Sequence, residues 1–245
     1  MRCLVLSDIH SNLAAFEAVL KDAQASGHDI VWCLGDVVGY GPDPNECIEL
    51  LRTLPHVCLA GNHDWAVVGK LDLATFHEGA AAAVRWTQAT ITPQNLNYLR
   101  ARNEKLEHDE YLLVHASPRE PIWEYVTDVN VAEDNFGCAA APYCLNGHTH
   151  VPVLFVKDGR TGGVHVAFAS TNAPVSLKKD SRYLINPGSV GQPRDGDPRA
   201  AYAILDTAAG TWTQHRVEYP IQVTQQKMRA AGLPKRLIDR LDYGR

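Results

Sequence analysis

One pattern constrains this chain more than any other: five times, a short apolar run ends on side chains able to hold a metal ion. Cys3-Leu-Val-Leu6 runs into Ser7-Asp-Ile-His10, and Ile30-Val-Trp-Cys-Leu34 runs into Gly35-Asp36. The stretch from His56 to Leu59 leads to Gly61-Asn-His-Asp64, Tyr111-Leu-Leu-Val114 to His115, and Tyr143-Cys-Leu145 to Asn146-Gly-His-Thr-His150. Apolar runs of this length, bounded by turn residues, read as buried strands. After the first of them, Leu13, Phe16, Val19 and Leu20 recur at helical spacing, with Asn12 placed to cap the helix and Gly27 to end it. A helical stretch around Glu46 to Arg52 follows the second run. The strand–loop–helix rhythm points to an α/β architecture with βαβ crossovers. Ligand sites of such folds gather outside the carboxyl ends of the strands, which is where these side chains fall.

Farther along, Leu71 to about Arg102 reads as helical, with Thr92 as N-cap and Pro93 starting a second helix, and Val131 to Ala140 reads as another helix. Strands are expected at Val153–Val156, Gly163–Phe168, Tyr183–Asn186, Ala201–Leu205 and Thr211–Val217, a mostly β half that would pair with the first sheet. Val223 to Leu241 reads as one or two amphipathic helices whose default is to pack on the chain's own core. No internal repeat or linker interrupts the chain, so residues 1–245 are expected to form one domain, with a C-terminal helical segment at about 220–242.

A formal net charge of −5 argues against a large footprint for nucleic acid or an anionic membrane. It leaves phosphate chemistry open, because bound cations would supply the missing positive charge. The six cysteines form no Cys-x-x-Cys pair and several lie inside apolar runs, so they read as buried, reduced thiols. No basic stretch followed by an apolar signal core opens the sequence, and no apolar run approaches membrane-spanning length. The default expectation is a cytoplasmic chain.

The residue types at the five run ends narrow the chemistry. Asp8, His10, Asp36, Asn62, His115, His148 and His150 offer a mixed set of oxygen and nitrogen donors, suited to manganese, iron, zinc or nickel. With Asp36 shared, the set is large enough for two ions. Each element alone would be weak; an Asp-x-His at a strand end often serves only as local polarity or a helix cap. Five such ends in one chain are not what solvated turns look like.

Asp8-x-His10, Gly35-Asp36, Gly61-Asn-His-Asp64, His115 in His-Ala-Ser-Pro, and Gly147-His-Thr-His150 follow in order the motif series of the calcineurin-like metallophosphoesterase superfamily. The later Asn186-Pro-Gly-Ser-Val-Gly-Gln-Pro193 resembles its small bacterial and archaeal phosphodiesterase branch. The resemblance spans roughly residues 3 to 206. Two departures touch loop shape: Ser11 and Ala116 stand where many relatives have glycine. The fold expected is a four-layer αββα sandwich of two mixed β-sheets with a dinuclear metal site at the carboxyl ends of strands. The resemblance implies one ion held by Asp8, His10, Asp36 and His150, and a second held by Asp36, Asn62, His115 and His148. It also implies that His63 is a general acid or a stabiliser of phosphoryl charge, with Asp64 orienting it. As a residue by itself, Asp64 could equally be a helix N-cap before Trp65.

The chemistry implied is hydrolysis of a phosphodiester, phosphomonoester or nucleotide polyphosphate. Metal coordination brings the pKa of water down to about 7, and two ions about 3.5–4 Å apart can hold nucleophile and phosphoryl oxygens together. A histidine titrating near neutrality suits protonation of the leaving group. The partner expected is a small phosphorylated substrate such as a nucleotide, with no membrane and no nucleic acid. Candidate substrate contacts are Asn12 (otherwise a helix cap), Tyr40 (otherwise a cover for its own turn) and Arg194, the best placed of the loop arginines Arg119, Arg194 and Arg199. The competing class is a catalytically silent scaffold that keeps the fold. A redox iron pair is weaker still, because no ligand tyrosine is recognisable.

Overall fold

The computed structural model describes residues 1–245. Its first strand, β1 (Arg2–Leu6), lies beside two parallel neighbours in turn, β2 (Ile30–Cys33) and β3 (His56–Cys58). The other side of β1 pairs antiparallel with β11 (Ala200–Asp206), followed by β12 (Thr211–Val217) and the short β9 (Pro174–Ser176). The order of this sheet is β3-β2-β1-β11-β12-β9. A second six-stranded sheet is built from β4 (Lys105–His108), β5 (Tyr111–Val114), β6 (Tyr143–Leu145), β10 (Arg182–Asn186), β7 (Val153–Lys157) and β8 (Val164–Ala167), in that spatial order. The late strands therefore do not make one layer against the first sheet. They are divided between the two sheets, because β11 and β12 return to the edge of β1 while β10 inserts between β6 and β7.

Alternation along the strands explains why two sheets stack. In β1, Cys3 and Val5 point into the core between the sheets, where Trp32, Leu113, Tyr143, Leu145 and Ile185 meet them. Leu4 and Leu6 point the other way, into a layer of helices. That layer holds α1 (Leu13–Ser26), α2 (Pro44–Arg52), α3 (Asn62–Val67), α4 (Glu78–Thr90) and α5 (Pro93–Arg100), which contribute Phe16, Ile48, Val67, Val84 and Leu99. On the far side, Leu112, Val114 and Cys144 pack on Ala132 and Phe136 of α6 (Val129–Cys138). The period-2 switch of every strand thus serves two cores at once, and the four layers follow.

The end signals read from sequence are used as expected at α1 and α5. Asn12 accepts from the backbone N–H of Ala15, Gly27 ends the helix, and Thr92 caps α5 through Asn95. The segment ahead of α5 is broken, with a single 3-10 turn at Leu73–Thr75 before α4. The C-terminal segment forms α7 (Ile221–Ala230), α8 (Lys235–Asp239) and a 3-10 turn (Arg240–Asp242), which pack Met228, Leu237 and Leu241 in turn against Tyr40 and α4. Five cysteines are buried and Cys138 is exposed, a correction to the reading that all six are core thiols; all six are free. No helix is long and apolar enough to cross a membrane.

Asn12 does more than cap. Its Nδ2 donates to the carbonyl of Gly191 at 2.9 Å, and its Oδ1 also accepts from the Thr224 hydroxyl of α7 at 2.8 Å. Replacing it with alanine removes a cap worth about 1 kcal/mol and strands a buried hydroxyl and a carbonyl at about 1–3 kcal/mol. Asn12→Ala is expected to lower stability by about 2–3 kcal/mol in urea unfolding. A midpoint within error of wild type would show that these bonds do not hold the α1–α7 junction.

Candidate metal centre

The loops after β1, β2, β3, β5 and β6 converge, and their register is fixed by backbone bonds between them. Asp8 N–H donates to Gly35 O, His10 N–H to Asp36 O, and Gly147 N–H to His115 O, all within 3.1 Å. The Asn186-Pro-Gly-Ser189 turn buttresses them from outside. Asn186 Nδ2 donates to Gly147 O at 2.6 Å, while the Ser189 hydroxyl donates to Asp8 O at 2.8 Å. Gly191 passes so close to β1's loop that a Cβ there would sit 1.9 Å from Ile9 O.

These loops are strained where the chemistry is. Seven of the nine non-glycine residues with left-handed backbone belong to them: Asp8, His10, Ser11, Asp36, Tyr40, His148 and His150, with φ between 50° and 65°. Such conformations cost of order 1 kcal/mol each and persist where surrounding contacts over-determine them. Ser11 adopts φ 52°, the region glycine enters freely.

Two groups of ligand atoms result: Asp8, His10 and His150 in one, Asp36, His115 and His148 in the other, all six side chains buried. Asn62 joins the second, its Oδ1 lying 3.2 Å from His115 Nε2. Asp36 stands between the groups. Its Oδ2 is 3.6 Å from His10 Nε2 and 3.5 Å from His115 Nε2, while its Oδ1 accepts the His63 backbone N–H at 2.9 Å.

The imidazoles are held in fixed tautomers. His10 Nδ1 faces Val38 O at 3.1 Å, His115 Nδ1 faces Leu34 O at 3.0 Å, His150 Nδ1 faces Gln192 O at 2.6 Å and His148 Nε2 faces Trp123 O at 3.2 Å. A carbonyl only accepts, so each of those nitrogens carries the proton and the opposite nitrogen is a lone pair. Those lone pairs face each other: His10 Nε2 and His150 Nε2 are 3.1 Å apart, His115 Nε2 and His148 Nδ1 3.2 Å. No proton can lie between them, and Asp8 Oδ1 beside them is buried without a hydrogen bond. Acceptors about 3 Å apart are the neighbours expected around a small cation with bonds of about 2.0–2.2 Å.

The electrostatics agree. Burial holds the four ligand imidazoles below the usual histidine range, His150 at about 4, with Arg194 adding to that shift. The approaches of imidazole to carboxylate at 3.2–3.7 Å are therefore contacts of neutral rings, not ion pairs. Burial followed by the neighbouring carboxylates Asp64 and Asp8 pushes Asp36 well up. Burial opposes ionisation of Asp8 too, and its Oδ1 has no hydrogen-bond donor to offset that cost. Neutral imidazoles with buried carboxylates make a donor set that fits two divalent cations and lacks positive charge without them.

Three sequence expectations are corrected. Asp64 does not touch the His63 ring: its carboxylate accepts the backbone N–H groups of Gly61, Val37 and Val38 at 3.0–3.3 Å. Nor is it the N-cap, a place that Gly61 takes; it is the third residue of α3 and closes that helix's start onto the loop after Asp36. His63 Nδ1 has no partner. The ring is placed by packing, with Tyr40 at 4.3 Å, His10 at 5.0 Å and Phe76 at 5.3 Å between ring centres, and a Cβ at Gly39 would meet Nδ1 at 2.5 Å. With no carboxylate behind it, burial and then Arg194 push His63 well below the ordinary range, so its neutral form is favoured, not the protonated one. Asn12, its oxygen and amide spent on Ala15, Thr224 and Gly191, does not line the cleft.

Tyr40 and Arg194 do line it. The cleft of about 280 Å³ is floored by Asp36, Asn62, His63, His148 and His150 and walled by Phe76, Trp123 and Tyr125. Arg194 donates to Gln192 Oε1 at 2.9 Å beside the Tyr40 hydroxyl. Arg119 and Arg199 are paired with Glu124, Asp134 and Asp197 instead. Sequence reading missed Phe76, Trp123 and Tyr125. They sit in segments without a motif and reach the cleft only through the packing of α4 and the loop after β5.

Comparison with known proteins places this geometry. Residues 1–210 match the model of the calcineurin-like phosphoesterase superfamily domain. A protein of Methanocaldococcus jannaschii described as uncharacterized is 39% identical over 246 residues, 98% of this chain and 97% of its own. The crystal structure of a metallophosphoesterase from Sphaerobacter thermophilus superposes with a TM-score of 0.90 at 45% identity, covering 100% of this chain and 99% of that one. Phosphodiesterase YfcE of Escherichia coli K12 is 26% identical over 216 residues, 84% of this chain and 88% of its own. With its ordered motifs folded into one buried, two-lobed donor set, the chain belongs to the calcineurin-like phosphoesterase superfamily.

Proposed function

We propose that this protein hydrolyses phosphoester or phosphoanhydride bonds of small substrates at a two-metal centre. Asp8, His10, Asp36 and His150 would hold one ion, and Asp36, Asn62, His115 and His148 the other. The observation that carries the reading is the place of Asp36, whose Oδ2 is nearly equidistant, at 3.6 and 3.5 Å, from the free nitrogens of His10 and His115. A carboxylate oxygen so placed can join two ions, and family membership adds weight to it. Two bound divalent ions supply Lewis acidity toward a phosphoryl group and a hydrolytic nucleophile at neutral pH. The donor set suits manganese, iron, zinc or nickel.

The chain's own residues do the remaining work. His63, neutral and buried against Tyr40 and Phe76, is placed to donate a hydrogen bond to a phosphoryl or leaving-group oxygen. Arg194 offers its guanidinium from the cleft wall to a phosphate oxygen. Tyr40, Phe76, Trp123 and Tyr125 exclude water and leave room for a compact substrate rather than a duplex.

Metal analysis joined to turnover of p-nitrophenyl phosphate and bis(p-nitrophenyl) phosphate tests the reading. Wild type is expected to carry close to two equivalents of metal and to hydrolyse at least one ester. His63→Ala should keep its metal while kcat falls roughly 10²–10⁴-fold. Asp36→Asn should lose both metal and turnover, since it weakens both lobes together. Folded, metal-loaded wild type without turnover of either ester would replace the hydrolase with a binding scaffold.

Chelation is a separate expectation. Ions bound at about 100 times their dissociation constant stabilise the fold by about 2.7 kcal/mol. For a chain of this size that is a loss of roughly 5–10 °C in Tm on metal removal. An unchanged Tm in chelator would mean that the buried carboxylates are not compensated by metal.

A further inference from the structure

The cleft does not end at its aromatic wall. Tyr40, His77, Tyr125 and Arg194 are shared with a second cavity of about 740 Å³ whose outer side is Pro234, Arg236, Leu237 and Arg240. That side comes from α8 and the turn after it, beyond residue 210 where the match to the superfamily domain stops. The wall thus lies outside the matched domain, set directly against the mouth of the metal centre.

Its outer side brings two arginines, Arg236 and Arg240, into the cavity that Arg194 also lines. Arg119, Arg160, Arg199 and Arg216 each pair with an aspartate or glutamate. Arg194, Arg236 and Arg240 pair with none, although the exposed Glu78 also borders the cavity. The Arg194 Nε is buried without a partner. Arg240 is half-buried, with its Nε donating to the carbonyl of the C-terminal Arg245. Burial, Arg194 and Arg236 together push its guanidinium down to about 10, so it stays charged at neutrality but at a cost. Three guanidinium groups that line one cavity and form no salt bridge with an Asp or Glu side chain repel one another when it is empty and are favourable around an anion, and their planar forks match phosphate oxygens.

We propose that Arg194, Arg236 and Arg240 form a second phosphate subsite, so that the preferred substrates are organic di- or polyphosphates. One phosphate would lie on the metal centre and the next on the arginines. The inference rests on the phosphoesterase reading and narrows its substrate class. Arg194, at the junction of the two cavities, contacts the bridge between them, while Arg236 and Arg240, which both line the outer cavity, hold the outer group.

The test uses the full-length protein saturated with manganese. Inorganic phosphate and imidodiphosphate, a diphosphate with a hydrolysis-resistant bridge, are titrated by calorimetry. Wild type is expected to bind imidodiphosphate at least tenfold tighter than phosphate. Arg236→Ala/Arg240→Gln should lose most of that preference, Arg240→Lys should retain part of it, and Arg160→Ala, which removes a paired arginine elsewhere, should keep it. The exposed Arg236→Ala alone, expected to lose at least threefold, serves if the double variant does not fold. Preference surviving in the folded arginine variants, or lost equally in Arg160→Ala, overturns the subsite. Failure of the phosphoesterase reading shows elsewhere, as absence of turnover of both aryl esters by wild type, so the two cannot be confused.

Discussion

Four imidazoles each give one N–H to a backbone carbonyl, and nearly everything at the centre of this molecule depends on that. The carbonyls of Leu34, Val38, Trp123 and Gln192 turn four rings into fixed, neutral donors whose lone pairs converge. Fixing the tautomer from the backbone makes the arrangement as rigid as the loops themselves. It also creates a debt of charge: Asp8, Asp36 and Asp64 are buried within a few ångströms of one another. Asp64 meets the debt with backbone N–H groups, whereas Asp8 Oδ1 and Asp36 Oδ2 are left facing imidazole lone pairs.

That rigidity has to come from somewhere, since the loops carry left-handed residues that would relax if free. Two buttresses hold them. From the second sheet, the Asn186–Gln192 segment ties the β1 and β6 loops through side chains and through Val190 and Gly191 N–H groups on Ser7 O and Asp8 O. From within α3, Asp64 gathers the loop after β2, and that same loop supplies the carbonyl that orients His10. Asp64, part of the motif, is thus a clamp on the backbone of the loop after β2, whose Gly39 and Tyr40 pack against His63.

The C-terminal helices lie outside the ligand loops yet border them. Their apolar face buries Met228, Leu237 and Leu241 against Tyr40 and α4, and the same docking carries Arg236 and Arg240 to the rim of the cleft. A domain that keeps its ligand loops constant can change what it accepts by changing such a wall.

The sequence by itself determined the strands that precede each candidate ligand, the caps Asn12 and Thr92, and the identities of the seven polar residues that the strand-end loops bring together. All of these are local: an apolar run, its turn residue and its polar end lie within about ten residues, and their periodicity is visible without a partner. The β4 strand, Lys-Leu-Glu-His at a solvent edge, and the three-residue β9 carried no such pattern, because pairing alone makes them strands. Only the tertiary structure decided which nitrogen of each histidine is free, that Asp64 serves the backbone, and how the late strands divide between the sheets. It alone placed Arg194 with Arg236 and Arg240. Those outcomes depend on contacts between residues far apart in sequence, such as His115 with Leu34 and Asn12 with Thr224, which the chain specifies only once both sheets have closed around their shared core.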